Sequence, residues 1–239
     1  MEKPAPKKLH PKDRVDQAVL NVKRLVMKRR PDLLDSANPL SYLKLLDPEV
    51  AAEALGLSYY TQSYFEGLES FERGRTIAGS LDRQSNTIMV SSKFPAGTQR
   101  FTGMHEIGHF LLHPDVVMHR DLPIDGLKLG AGDRDFKEVE ANRFAARYLV
   151  SEKLLTDLFR MRFGDTPIEV TDDVRFWLGL DEEQAATRNS SNPLQREVAF
   201  ATARSFCQQH FDSLVDVFGV SVTTMAIRIR ELKLVKEWP

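Results

Sequence analysis

The stretch FTGMHEIGHFLLHP, Phe101 to Pro114, decides how the rest of the chain is read. It holds three of the six histidines, His105, His109 and His113, at four-residue intervals, with Glu106 directly behind the first. On a helix, positions i and i+4 lie on one face a turn apart, so His105 and His109 can offer their rings to a single ion. Met104, Ile107 and Leu111 give this helix an apolar side, Thr98 is its expected N-cap, and Pro114 closes it. Glu106 is displaced around the helix from the two rings, where it reaches a metal-bound water without filling a coordination position. This is the H-E-x-x-H arrangement, two ligands and a general base. Bound zinc (Zn2+) lowers the pKa of water towards about 7, and Glu106 takes the proton as the water attacks a carbonyl. His113 is eight residues beyond His105, about 12 Å along a helix, too far to share the ion with both. It is expected at the helix end, near the last carbonyls.

A catalytic zinc needs a third protein ligand, and carboxylates on another helix are the usual source. FKEVEANRFAARYLVS carries two, Glu138 and Glu140, which point roughly 200° apart on a helix, so at most one faces the ion. Asn142 lies four residues after Glu138, on its face, placed to hold the free ring nitrogen of a ligand histidine. Glu140 has Phe144 at that spacing, so Glu138 is the favoured ligand, and the bland alternative for both is a solvated helix face. Between the two helices runs the irregular HRDLPIDGLKLGAGDRD, whose His119 and Arg120 are candidates for stabilising the transition state, or are simply solvated loop residues.

Ahead of the histidines, RTIAGSLD and NTIMVSS are two β-rich runs, a hairpin or two neighbouring strands. The second, with Thr87, Ile88, Met89 and Val90, is the expected sheet edge to which an extended substrate peptide would add. Further upstream, LDPEVAAEALG is a short helix with Asp47 as N-cap, Pro48 in its first turn and Gly56 past its end. Val15, Ala18, Val19, Val22, Leu25 and Val26 form one stripe of a helix that Pro31 ends.

With 239 residues, 42% of them apolar and 28% charged, the chain is an ordinary globular one, without an apolar run long enough to span a membrane. The N-terminus has no apolar region of the kind a secretion signal needs, and a single cysteine suits a reducing cytosol, so the expected location is cytoplasmic. Cys207 is expected to be a small buried helix residue. A net charge of −1 argues against a protein that coats nucleic acid, although Lys3 to Arg30 is basic. The organisation expected is a basic arm and helix over 1–35, with residues 1–12 disordered, and a catalytic domain over 36–180. A polar linker over 181–193 and a helical segment over 194–239, packed on the catalytic domain, complete it.

On RFTGMHEIGHFLLH and EVEANRFAARYLV the chain resembles the ImmA/IrrE metallopeptidase family, which shows RFT-x-x-HE-x-GH-x-LLH and E-x-EAN-x-FAA-x-LL there. IAGSLD and TIMVSS resemble the strands before its zinc helix, HRDLPIDG the loop between its active-site segments, and LVDVFGVSVTTMAIRIRELKLV its closing helix pair. The resemblance runs from about DPEVAAEALG to the C-terminus. It departs at YLVS (148–151), where the family often has LLMP. It implies an α+β, mainly helical fold: a zincin-like (gluzincin-like) catalytic domain in which a small sheet backs two active-site helices. It also implies zinc on His105, His109 and Glu138, with Glu106 as base. Members of the family are regulatory endopeptidases that cleave a helix-turn-helix repressor, often co-encoded, and so release stress, excision or anti-phage genes.

FDSLVDVFGVSVTTMAIRIRELKLV has the grammar of a helix-turn-helix. Val222, Met225, Ala226 and Ile229 form an apolar stripe, and Arg228 and Arg230 stand on other faces. Taken alone it suggests a DNA-binding regulator, with DNA as ligand or activator. The other reading has the pair packed on the catalytic domain. A zinc-binding scaffold without catalysis is a third reading, and Glu106 argues against it.

Overall fold

The computed structural model describes residues 11–35, 37–63, 77–115, 118–121, 136–180 and 194–236. The expected linker, 181–193, and residues 1–10 of the arm lie outside these; Pro11 and Lys12, expected to be disordered, already belong to a helix. The fold is α+β and mainly helical. The chain divides into two compact units. One comprises residues 1–91, 102–122 and 131–148, the other 92–101, 123–130 and 149–239.

In the first unit, α1 (Pro11–Arg29) buries Val15, Val19, Val22 and Val26, the stripe its spacing dictates. α2 (Pro48–Leu55) is capped by the Asp47 side chain, which accepts from the Glu49 N–H, and ends at Gly56 in the left-handed region at φ 76°. The sheet contains β1 (Ser58–Gln62), β2 (Gly79–Asp82), β3 (Thr87–Ser91) and β4 (Met118–Asp121) in the order β1-β3-β2-β4. β2 and β3 form the antiparallel pair expected of their sequences, with Leu81 opposite Ile88.

Two expectations about this sheet are corrected. β3 is not its edge: β1 lies parallel to it on the other side, Tyr59 opposite Ile88, so Thr87 to Val90 are paired on both flanks. β1, SYYTQ, is largely exposed and lacks the alternation that marks a half-buried strand. His119 and Arg120 do not lie in an irregular loop. They sit on β4, opposite Leu81 and Ser80 of β2.

α3 (Ala96–Leu112) starts a turn earlier than Thr98, with the Pro95 carbonyl accepting from the N–H groups of Thr98 and Gln99. α4 (Phe136–Leu149) crosses α3 at Gly108. A Cβ at Gly108 would lie 3.1 Å from the Ala141 Cα and 3.2 Å from the Phe144 ring, so the missing side chain is what lets the helices approach. Any side chain here meets backbone, which cannot swing away. Gly108→Val is therefore expected to cost at least the roughly 1–3 kcal/mol typical of overpacking. A denaturant melt of the metal-free chain reads this, and an unchanged midpoint would refute the close crossing.

The second unit contains α5 (Glu152–Phe163), α6 (Asp172–Leu178), α7 (Gln195–Thr202), a short hairpin of β5 (Ser205–Phe206) and β6 (Gln209–His210), α8 (Leu214–Phe218) and α9 (Val222–Glu231). Phe163 packs its ring against those of Phe159, Phe200, Phe206 and Phe211 at 4.8–5.7 Å between centroids. The hairpin corrects the all-helical reading of 194–238. Its turn residues Cys207 and Gln208 have φ of 47° and 64°, conformations a helix interior does not use, and Cys207 is exposed rather than buried.

Ser213 and Ser221 cap α8 and α9, and Gly219 ends α8 at φ 59°. Met225, Ala226 and Ile229 are buried as expected, whereas Val222 is exposed. Both arginines of α9 are engaged within the chain. Arg228 is buried, donates to the Val150 carbonyl at 3.3 Å and pairs with Glu231. Arg230 makes two 3.0 Å bonds to the carboxylate of Glu197 on α7.

Candidate metal centre

Four functional positions on or just past α3 are shielded from solvent. His105, Glu106 and His109 are wholly buried and His113 nearly so. Their four-residue ladder brings the three rings together edge-on and tilted, with centroids 4.6 Å and 5.0 Å apart. The two Nε2 atoms of His105 and His109 converge to 2.9 Å. From α4, Glu138 brings its Oε2 to 3.4 Å from the first and its Oε1 to 3.3 Å from the second. Each of the three residues has a donor atom within 4.8 Å of the others'.

These residues fit a metal ion. Ligand atoms bound tetrahedrally at 2.0–2.1 Å lie about 3.3–3.4 Å apart, which the two Glu138 separations match while the Nε2 pair is closer at 2.9 Å. The proton positions agree. Asn142 Oδ1 lies 2.9 Å from His105 Nδ1 and can only accept, so that nitrogen carries the hydrogen and Nε2 is left with its lone pair. Two imidazole nitrogens and a carboxylate, at one end of their shared space, are a donor set for a divalent transition metal.

Glu106 follows His105 by one residue, about 100° around the helix. It packs under Gly79 of β2, where a Cβ would come within 3.1 Å of its Oε1 and 2.4 Å of the Thr102 methyl. A bare glycine backbone in the strand is thus what makes room for the carboxylate. In the β2–β4 pairing Asp121 lies opposite Gly79, with Arg120 and His119 opposite the next two residues, Ser80 and Leu81.

Arg14 and Arg83 were not singled out for this site by sequence, and Glu140 and His113 take parts in it other than those expected. Glu140, the less favoured of the two candidate ligands, is buried. Its Oε2 lies 3.1 Å from His113 Nε2 and accepts from Arg14 Nη2 at 2.5 Å. His113 Nδ1 in turn lies 3.1 Å from His109 Nδ1. Burial outweighs the pull of the Glu140 carboxylate and holds the His113 pKa below the ordinary histidine value. The helix-end carbonyls are served by cations: Arg14 donates to Leu112 at 3.3 Å, and Arg83 Nη2 to His109, Phe110 and His113 at 3.0–3.1 Å. The histidine ladder hinted at His113, but nothing local ties Arg14 or Arg83 to a helix far along the chain. Arg83→Ala is expected to destabilise the chain by about 1–2 kcal/mol, for loss of charge-assisted bonds at the negative helix end. A urea melt measures it, and a change within error would mean that water caps the helix equally well.

The donor set of His105, His109 and Glu138 lies between two crossed helices, an arrangement that fits a divalent metal. Residues 68–170 match the family model Peptidase_M78, an IrrE N-terminal-like domain, which on that stretch shows the resemblance to the ImmA/IrrE metallopeptidases. A comparison with curated proteins finds no match. No described helix is long and apolar enough to cross a membrane.

Proposed function

We propose that the chain is a zinc-dependent regulatory endopeptidase whose substrate is a helix-turn-helix transcription repressor. The observation that carries the enzymatic part is the convergence of His105, His109 and Glu138 on one point, with Glu106 beside them. Two imidazoles and one carboxylate are a donor set of catalytic zinc sites, which keep an open position for substrate or water. When bound, zinc supplies Lewis acidity for the scissile carbonyl and for an attacking water.

The protein's own residues do the rest. His105, His109 and Glu138 hold the ion, and Asn142 keeps His105 in the tautomer that can bind it. The Glu106 carboxylate accepts a proton from the attacking water and returns one to the departing amine. Packing under Gly79 limits its rotamers, which suits a base that must be ready in one place. An extended peptide would add at β4, which among the described residues pairs only with β2, and β4 brings His119 and Arg120 to that edge.

The repressor as substrate is supported by the family resemblance alone. The rival DNA-binding reading, which rests on the basic N-terminal arm and the C-terminal helix pair, is weakened at the pair, because Arg228 and Arg230 are committed to partners within the chain. The test compares new protein N-termini in cells producing the parent chain or Glu106→Gln. A small set seen only with the parent, falling in a helix-turn-helix protein, is the expected result. Identical sets of N-termini would defeat the reading.

A further inference from the structure

We propose that the N-terminal helix is a working part of the metal centre: Arg14, acting through Glu140 and His113, holds the His109 ring in the orientation and tautomer that turn its Nε2 lone pair towards the metal. This rests on the metal-site reading above and extends it to α1, which lies outside the matched stretch 68–170.

The chain of contacts is continuous. Arg14 Nη2 meets Glu140 Oε2 at 2.5 Å, the same oxygen lies 3.1 Å from His113 Nε2, and His113 Nδ1 lies 3.1 Å from His109 Nδ1. Glu140 and His113 are 4% and 3% exposed, so water does not stand in for these bonds. The other Glu140 oxygen, Oε1, is buried without a hydrogen bond among the described residues, so there the carboxylate's bonds are those to Arg14 and His113.

The direction of the bonds follows from what each atom can do. A carboxylate accepts, so His113 presents Nε2–H to Glu140 and its Nδ1 is a lone pair. That lone pair must be met by a hydrogen on His109 Nδ1. His109 Nε2 is then bare and points at the place where His105 Nε2 and Glu138 converge. Reversing the chain would set a lone pair against the carboxylate and a hydrogen into the metal position. Both ligand histidines are thus held from behind, His105 by Asn142 and His109 by this longer path. Arg14 also donates to the Leu112 carbonyl, so the same guanidinium ties α1 to the end of α3 and to the Glu140 carboxylate on α4.

These are positioning residues, and the test reads metal binding and tautomer rather than turnover. Zinc affinity of the full chain is measured by competition with a chromophoric chelator, for the parent, Arg14→Ala, Glu140→Gln and Asp16→Ala. Outer partners of metal-bound histidines are typically worth about 10–100-fold in affinity. Glu140→Gln is expected to weaken zinc within that range and Arg14→Ala by about tenfold, its lower end. Asp16 pairs with Arg147 and anchors α1 away from the relay. Asp16→Ala is expected to lower the melting temperature and leave zinc affinity within about twofold, well below the outer-partner range. Long-range proton–nitrogen NMR of the metal-free chain should show His109 with its hydrogen on Nδ1, and a mixture of tautomers in Glu140→Gln.

A parent that binds zinc while Arg14→Ala and Glu140→Gln match it overturns the relay and leaves the metal site standing. An Asp16→Ala loss equal to that of Arg14→Ala also overturns it, since general loosening of α1 would then suffice. A parent that binds no zinc overturns both readings.

Discussion

Glu106→Gln is expected to keep one zinc per chain and to lose peptide hydrolysis by about 10²–10⁴-fold, the range a positioned general base contributes. Gln matches Glu in shape and fits the same space under Gly79 and beside Thr102, so the fold and the three ligands are left as they are. Its amide takes up no proton. The attack then depends on bulk water as base, and the leaving amine departs without its donated proton. Turnover on an identified substrate peptide, with zinc content determined on the same sample, is the measurement. Activity within a few-fold of the parent would remove Glu106 from the chemistry. Loss of activity together with loss of zinc would instead mean that Glu106 supports the site's structure.

Removing a ligand has the second large effect. His105→Ala and Glu138→Ala each take one corner from the triangle of donors, and each should leave the purified chain without stoichiometric zinc. Glu140→Gln should still load when zinc is in excess, because Glu140 touches His113 and Arg14 rather than the convergence point. Binding to the folded state alone also stabilises it, by about 4 kcal/mol when zinc is a thousandfold above its dissociation constant. Chelation should therefore lower the melting temperature of the parent and leave that of His105→Ala unmoved. If Glu138→Ala retains tight zinc, the third ligand is another residue and the site must be redrawn.

Much of this site could be read locally because a helix is a periodic object. Spacing of four residues places His105 with His109, and Glu138 with Asn142, on common faces whatever the rest of the chain does. The caps of α2 are equally local: Asp47, Pro48 and Gly56 each act within one turn of backbone. Sheet order is not local. Whether β3 is an edge depends on β1, an exposed run whose pairing is made by backbone groups that every residue carries. The same holds for His119 and Arg120, on a strand that β2 recruits from a stretch with no alternating pattern.

By itself, then, the sequence determined the helix carrying His105, Glu106 and His109 and the second helix carrying Glu138 and Asn142. Only the tertiary structure decided where the helices cross, through contact of Gly108 with Ala141, and so which carboxylate meets the histidines. It also decided that Glu140 and His113 are buried partners of one another, and that Arg14 completes their path from 126 residues away from Glu140. Periodicity fixes direction around one helix axis, whereas burial and long-range pairing depend on which other surface arrives there.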